Sequence, residues 1–269
     1  MSATHYRRAF GAILVREVLR FWQQRERFLS ALVRPLLWLF IFAAGFRAAL
    51  GVSIIPPYAT YITYDVYMLP GLAAMIQLFN GMQNSLSMVY DREMGSMRVL
   101  LTTPLPRWYL LLSRLFAGVC VSLLQVYTFF AIAKLAGVDV PLAGWLLALP
   151  ALIVTGMMLG ALGMLFATTI RQLENFAGVM NFVIFPMFFV SSALYPLWKI
   201  KEANVWLYWL CQFNPFTHAV ELIRFALYRQ FNGLAALIVL ASLAGFGTVA
   251  VAAFDPSRGL AKRGEPAAD

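Results

Sequence analysis

Six uncharged or nearly uncharged stretches, separated by short charged connections, set the pattern of hydrophobic and polar positions along this chain of 269 residues. A bilayer crossing takes about 20 predominantly apolar residues, and each stretch reaches that length or comes close to it. Arg34 and Arg47 in the first stretch lie near its two ends, where a long side chain reaches the headgroups. The pattern predicts an all-α polytopic membrane protein with six transmembrane helices, at 28–50, 66–90, 115–133, 142–170, 175–198 and 230–254.

The region before the first stretch predicts an amphipathic helix that lies on the membrane surface. Apolar residues collect on one side of this helix and arginines occupy the other, with Phe10, Ile13, Leu14, Val18, Phe21 and Trp22 against Arg7, Arg8, Arg16, Arg20, Arg25 and Arg27. The alternative is a solvated helix with a basic face. In that alternative, the apolar stripe of Phe and Trp would have to be shielded from water by another part of the protein.

The stretch 199–229 has two interpretations. Its uncharged core, 203–220, holds 18 residues and would make a seventh span, but it contains Asn204, Gln212, Asn214, Pro215, Thr217 and His218. An odd number of spans would also move the basic C-terminal tail to the opposite side of the membrane. We therefore expect short re-entrant helices in the outer leaflet, where surrounding protein satisfies the interrupted backbone.

Composition and charge narrow the class further. With 61% apolar and 12% charged residues, the chain has too few charges to cover a soluble globule. Lys and Arg outnumber Asp and Glu by 21 to 12, but they punctuate the apolar runs, so nucleic-acid binding is not expected. Of the 21 basic residues, 15 lie on the side that holds both termini and the connection 91–114. The positive-inside rule therefore predicts that both termini and this connection are cytoplasmic.

Catalytic motifs are absent from the sequence. His5 and His218 are the only histidines, no G-x-S-x-G occurs, and G-x-x-x-x-G-K-[ST] is missing, so the chain has no P-loop of its own. We expect no catalytic residue, no metal site and no cofactor in this chain. An intramembrane protease or lipid-modifying transferase, centred on His218 and Glu221 with Arg224, is the alternative. A structural hydrogen bond or an outer-leaflet salt bridge explains these residues more simply.

A polar stripe runs along the second stretch, formed by Gln77, Asn80, Asn84 and Ser87. Spacings of three and four residues place these side chains on one helical face, and such residues turn away from lipid. One interpretation is a translocation path or a protomer interface, and the other is hydrogen bonding between helices of one protomer. In the fourth stretch, a patch of small residues predicts close helix packing, at Gly156, Gly160 and Gly163.

The connection after the second stretch reads DREMGSMRVLLTTPLPR at 91–107. It opens with alternating charges, turns at Gly95, continues as a short apolar helix and stops at paired prolines. An amphipathic element outside the membrane is able to dock in a groove on a partner protein. On composition alone, a solvated loop with a charged start explains the segment equally well.

These features, taken in order, resemble the ABC-2 type permease family. The resemblance rests on the basic N-terminal helix, two spans, the segment at 91–107, four further spans, SSALYP at 191–196 and NPFTHAVELIR at 214–224. It covers about residues 5 to 254. It implies one domain at 1–269, with a cytoplasmic helix at 1–27, a six-span region at 28–254 and a cytoplasmic tail at 255–269.

The resemblance also implies a function. Two permease chains, identical or paralogous, pair above two separate ATP-binding subunits that hold ATP and Mg, and the segment from 91 to 104 becomes the coupling helix. We expect polar ATPase contacts at Arg92, Glu93 and Arg98, and apolar anchors at Met94, Met97 and Leu101. The expected activity is export of a lipid, a glycan-lipid or a hydrophobic drug-like molecule across the bacterial inner membrane. A membrane anchor without transport is a further alternative.

Overall fold

The computed structural model describes residues 3–23, 25–46, 56–58, 62–94, 106–139, 141–170 and 172–254. Every regular element in these ranges is an α-helix, which confirms the all-helical class. The helices are α1 (Ala3–Gln23), α2 (Arg25–Phe46), α3 (Tyr64–Glu93), α4 (Arg107–Leu135), α5 (Leu142–Thr169), α6 (Leu173–Phe189), α7 (Leu197–Ala203), α8 (Val205–Phe213), α9 (Pro215–Leu227) and α10 (Gly233–Ala253).

Three helices in the described ranges are long and apolar enough to cross a membrane, namely Trp108–Leu135 in α4, then α5 and α10. The apolar part of α2, Leu32–Phe42, and the whole of α6 are shorter. At 30 residues α3 exceeds the length of a span, but its Gln and Asn residues lower its hydropathy. The chain is a multi-pass membrane protein, and the count of six spans stays a prediction.

The centre of the molecule is the contact between α3 and α5, and α3 also touches α2, α4, α6 and α9. Glycines make the central contact possible. A Cβ added to Gly81 would lie 2.9 Å from the backbone of Gly160, and one added to Gly163 would lie 2.8 Å from the Gly81 carbonyl oxygen. Gly160 and Gly163 of the predicted small-residue patch therefore pack against the backbone of α3, and Gly156 lies against the Gln77 side chain.

The predicted amphipathic helix is α1, and it packs along α4. The Tyr109 hydroxyl donates to the Tyr6 carbonyl at 2.6 Å, and the rings of Phe10 and Phe116 lie 5.7 Å apart. The apolar stripe is therefore covered in part by protein. Val18, farther along the stripe, stays exposed.

One predicted span ends early. We expected the fifth stretch to continue to residue 198, but α6 ends at Phe189. The Asn214 side chain donates to the carbonyls of Met187 at 2.7 Å and Val190 at 2.6 Å. These bonds satisfy two acceptors that a helix end leaves open. The end of α6 is thus capped by a residue far along the chain.

The stretch 203–220 is broken into short helices, as predicted, and is not a continuous span. Asn204 accepts hydrogen bonds from the backbone N–H groups of Trp206 and Leu207, and this cap starts α8. Asn214 accepts from Phe216 N–H and precedes Pro215 at the first position of α9. The two caps and Pro215 therefore separate the segment into the short helices α8 and α9. Its depth in the membrane stays a prediction.

Candidate functional site

Gln77, the first residue of the polar stripe, is fully enclosed between α3 and α5. Its Nε2 donates to the Leu152 carbonyl at 2.6 Å, and its Oε1 accepts from the Thr155 hydroxyl at 2.7 Å. Both ends of the amide are therefore satisfied inside the protomer, and Gln77 is only 1% exposed. This geometry supports the interpretation of Gln77 as an interhelical hydrogen-bonding residue.

The rest of the stripe bonds to α4. Asn80 donates to Gln125, which is itself buried, and Asn84 donates to the Arg114 carbonyl at 3.3 Å. The Ser87 hydroxyl donates to the Asn84 carbonyl at 2.7 Å and accepts from Arg114 at 3.3 Å. The stripe thus links α3 to two neighbouring helices, and its role in a substrate path stays a prediction. Sequence periodicity indicated the shared face but not the partners Gln125 and Thr155.

Asn80 also borders a small cavity of about 30 Å³ between α2 and α3. The Arg34 guanidinium lies 4.0 Å from the centre of the Phe79 ring beside this cavity, and Gln83 completes its polar lining. A cation held over an aromatic face keeps favourable interactions within an apolar helix. Arg34, expected near the end of the first span, therefore contacts α3 next to the polar stripe.

A buried ion pair closes the stripe at its C-terminal end. Arg114 of α4 donates to the Asp91 carboxylate of α3, with 6% and 13% of the two side chains exposed. From the sequence, Arg114 counts among the charges of the connection 91–114. The structure instead places it inside α4, where Asp91 supplies its countercharge. The pair joins the two helices on either side of segment 95–105, which is outside the described residues.

Arg92 and Glu93, predicted to contact an ATPase, also bond within the chain. Arg92 donates to the Ile170 carbonyl at the end of α5, and the Glu93 carboxylate accepts from Leu173 N–H at 2.9 Å. A carboxylate is favourable at a helix N-terminus, here that of α6. The C-terminal end of α3 is therefore hydrogen-bonded to the connection between α5 and α6.

Met94, at the end of α3, is 63% exposed. It follows Arg92 and Glu93 directly in the sequence. The remaining predicted coupling residues, Met97, Arg98 and Leu101, lie outside the described residues. The coupling role of all six residues stays a prediction.

A second buried arginine lies at the opposite end of α3. Arg224 of α9 pairs with Glu221 on the same helix and donates to the Ser192 carbonyl at 2.9 Å. Its guanidinium lies 4.1 Å from the centre of the Tyr67 ring. The Tyr67 hydroxyl donates to the same Ser192 carbonyl at 3.0 Å, and Tyr64 donates to the Leu194 carbonyl at 3.0 Å. The turn after α6 is thereby held between α3 and α9.

Tyr58, in the connection before α3, completes this cluster. Its ring meets Tyr228 edge-on, with the centroids 4.6 Å apart. Burial raises the pKa of the Tyr58 hydroxyl to about 12, so the group stays protonated beside Arg224. The cluster therefore balances one buried cation with one carboxylate and neutral aromatic partners.

His218 and Glu221, the centre of the alternative enzyme, have separate structural partners. The His218 Nε2 lies 2.8 Å from the Gln212 carbonyl, and Glu221 pairs with Arg224. Within the described part of the chain, no group of three or more His, Cys, Asp or Glu residues is placed to hold a metal ion. The geometry supports the interpretation of both residues as structural.

Comparison with known proteins identifies the family. The model of the family described as ABC-2 type transporter matches residues 8–228. The transport permease ycf38 of Pyropia yezoensis is 30% identical over 226 residues, which cover 82% of this chain and 74% of the relative. Its counterpart in Porphyra purpurea is 28% identical over 217 residues, covering 80% and 72%.

A bacterial relative matches over a shorter region. The multidrug ABC transporter permease YbhR of Escherichia coli strain K12 is 30% identical over 174 residues, which cover 62% of this chain and 45% of YbhR. The family model extends from α1 to the end of α9 and so includes both buried arginines and the polar stripe. The chain belongs to the ABC-2 type transporter family.

Proposed function

We propose that this chain is the permease subunit of an ATP-driven exporter in the bacterial inner membrane, which carries a lipid, a glycan-lipid or a hydrophobic drug-like molecule. The family establishes the coarser role, an ABC transporter permease that works with an ABC ATP-binding subunit. The multidrug name of the Escherichia coli relative supports a hydrophobic cargo. In the proposed assembly, two copies of this chain pair with two ATPase subunits, and these subunits hold ATP and Mg.

The proposed topology has six spans, α2 to α6 and α10, with both termini in the cytoplasm. The 30, 29 and 28 residues of α3, α4 and α5 correspond to helices of about 42–45 Å, longer than the hydrocarbon core. At 17 residues α6 is about 25 Å long, so we propose that the turn after it and α7 to α9 complete the crossing near the outer surface. The basic N-terminal helix then lies on the cytoplasmic face.

The proposed mechanism depends on the anchoring of α3 at its cytoplasmic end. Asp91 ties α3 to α4, while Arg92 and Glu93 tie it to the α5–α6 junction. A push on segment 95–105 by closing ATPase subunits would therefore move several spans together. ATP binding in the partner then shifts the permease between two conformations, with α2, α3 and α6 rotating at the protomer seam.

Coupling can be tested with the chain co-expressed with its ABC ATP-binding subunit and reconstituted in vesicles. A double reversal, Arg92→Glu with Arg98→Glu, should abolish transport-coupled ATPase activity and leave membrane insertion intact. Because Arg92 also bonds to Ile170, Met94→Asp is the sharper variant, since it changes an exposed side chain. We expect it to weaken ATPase co-purification at least about tenfold, as for the loss of an anchor residue.

Two further variants separate docking from folding. Glu93→Gln keeps an oxygen that accepts from Leu173 N–H but removes the charge offered to a partner, so it should lower ATPase coupling without unfolding the chain. Lys134→Glu changes an exposed cation at the far end of α4 and should leave coupling unchanged. Full coupling in Met94→Asp would contradict the docking assignment. Hydrolase activity of the chain alone, removed by His218→Ala, would contradict the transporter proposal itself.

A further inference from the structure

An apolar groove of about 460 Å³ lies between α5, α9 and α10. Its wall is made mainly of aliphatic side chains, including Leu147, Pro150, Val154, Leu222, Ala236 and Leu240. Two polar residues, Arg229 and Gln230, line it at the connection between α9 and α10. The groove is therefore apolar along its length and carries a cation at one end.

Arg229 occupies a backbone position that favours glycine. Arg229 N–H donates to the Ala226 carbonyl and Gln230 N–H to the Phe225 carbonyl, which is the bonding pattern of a Schellman helix end. The residue that follows such a helix takes a left-handed conformation, and Arg229 does so with φ of 59°. The end of α4 has the same pattern but uses Gly137, at φ of 89°. An arginine is strained where glycine would be relaxed, which indicates a use for its side chain.

The side chain of Arg229 is available for a ligand. It is exposed and makes no hydrogen bond or ion pair with any residue that the structure describes. Gln230, its neighbour, is instead held by a bond from Nε2 to the Pro57 carbonyl at 3.1 Å. A free guanidinium at the edge of an apolar groove is complementary to an anion joined to an apolar chain. Arginine also binds phosphate through two parallel hydrogen bonds.

The length of the groove fits one leaflet of a bilayer. Its lining runs from Leu147 to Val154 on α5 and reaches Leu240 two turns into α10, so it extends about 10 Å along each helix. The hydrocarbon part of one leaflet is about 15 Å thick. With Arg229 at the polar boundary, the apolar end of the groove reaches towards the middle of the membrane.

We propose that this groove holds one phospholipid of the surrounding bilayer, with an acyl chain between α5 and α10 and its phosphate on Arg229. In the proposed topology this lipid belongs to the outer leaflet. The site is separate from the polar stripe and from the anchored end of α3. It depends on membrane embedding but not on the direction or cargo of transport, so its failure would leave the permease assignment in place.

A second groove in the same molecule provides the control. It measures about 510 Å³ between α4, α5 and α10, and its lining includes Leu115, Met157, Met164 and Val251. Thr248 is the polar residue in this lining, which contains no cation. The two grooves are similar in size and apolar character. A ligand whose binding depends on its phosphate should therefore bind the groove at Arg229 and not the second groove.

The proposal can be tested by native mass spectrometry of the transporter complex, incubated with phosphatidylglycerol or with a diacylglycerol of the same acyl chains. Arg229→Gly relieves the backbone strain and removes the guanidinium. It should keep or raise thermal stability while phosphatidylglycerol retention falls about tenfold, as expected for loss of a charge-assisted contact. Diacylglycerol retention should not change. Lys201→Gln, which removes an exposed cation on α7, should leave both lipids bound as in the wild type.

Groove-filling variants test the acyl-chain half of the proposal. Ala236→Trp fills the first groove and should abolish retention of both lipids, whereas Ala244→Trp fills the second and should not. Equal phosphatidylglycerol retention in Arg229→Gly and Lys201→Gln would overturn the proposal. Equal retention in the two tryptophan variants would also overturn it. If Ala236→Trp does not fold, the Arg229→Gly comparison still decides.

Discussion

Two buried arginines, at opposite ends of α3, balance their charges in different ways. Arg114 pairs with Asp91 across the contact between α3 and α4. Arg224 pairs with Glu221, three residues earlier on its own helix. Arg224 reaches other elements through the carbonyls of Ser192 and Tyr67 and through the face of the Tyr67 ring. One arginine therefore links helices by charge, and the other carries its counter-ion with it.

The difference determines how readily each end of α3 separates from its neighbour. Pulling α3 from α4 would leave two opposite charges unpaired in a poorly solvated site, which costs several kcal/mol. Pulling α9 from α3 would break a charged hydrogen bond and a cation–π contact but keep the ion pair intact. We infer that α3 separates less readily from α4 than from α9, so the N-terminal end of α3 is the easier one to open.

The largest expected effect is from Asp91→Ala, which leaves Arg114 buried without its countercharge. We expect the free energy of unfolding to fall by about 3–5 kcal/mol, measured by denaturation in mixed micelles. Adding Arg114→Met should recover most of the loss, because both charges are then absent. Asp139→Ala is the matched control, since it breaks the exposed pair with Lys134 and should change stability little. If Asp91→Ala also changes it little, the charge link between α3 and α4 is refuted.

A smaller loss is expected from Arg224→Met at the other end of α3. The variant removes the bond to Ser192 and the contact with Tyr67, while Glu221, 17% exposed, retains some access to its surroundings. We expect the free energy of unfolding to fall by about 2–3 kcal/mol. Adding Glu221→Gln should recover little of that loss. A large recovery, as at Asp91 and Arg114, would mean that the two ends are balanced in the same way.

The next effect concerns Asn214, which joins α6 to α9 without any charge. Asn214→Ala removes the cap on α9 and both bonds to the end of α6, whereas Asn232→Ala removes only the cap on α10. We expect losses of about 2 kcal/mol and about 1 kcal/mol, respectively, in the same unfolding assay. Equal losses would show that the bonds from Asn214 to α6 contribute nothing.

The sequence predicted elements well where the signal is local. The run at 142–170 is uninterrupted and matches α5, Leu142–Thr169, almost to the residue. The predicted end of the fifth span, residue 198, was wrong, because α6 stops at Phe189. Asn214, 25 residues after Phe189, bonds to the carbonyls at this end, and no local window contains both residues. A remote partner is a tertiary fact, visible only once the chain is folded.

At the candidate site too, the sequence predicted local features but not the remote partners. Helical spacing predicted that the polar residues from Gln77 to Ser87 share one helical face. It did not predict whether that face contacts a substrate, a second protomer or other helices of the same chain. Arg92 and Glu93 were singled out for a partner protein, and folding brings Ile170 and Leu173 within reach of them. Composition and spacing identify which residues are available for polar contacts. Packing decides how many of those contacts the chain makes with itself.

The smallest expected effect lies between the two arginines, at Gln77. Gln77→Leu removes the bonds to Leu152 and Thr155, and interhelical hydrogen bonds in membranes average about 0.6 kcal/mol and reach about 1.7. Thr155→Val, which removes only one of these bonds to Gln77, is the matched control. If the stripe only joins helices, transport in vesicles should fall in proportion to stability in both variants.

A transport loss in Gln77→Leu far beyond that of Thr155→Val, at equal stability, would instead place Gln77 in the substrate path. The two results distinguish whether Gln77, in the middle of α3, only joins helices or also lines the substrate path.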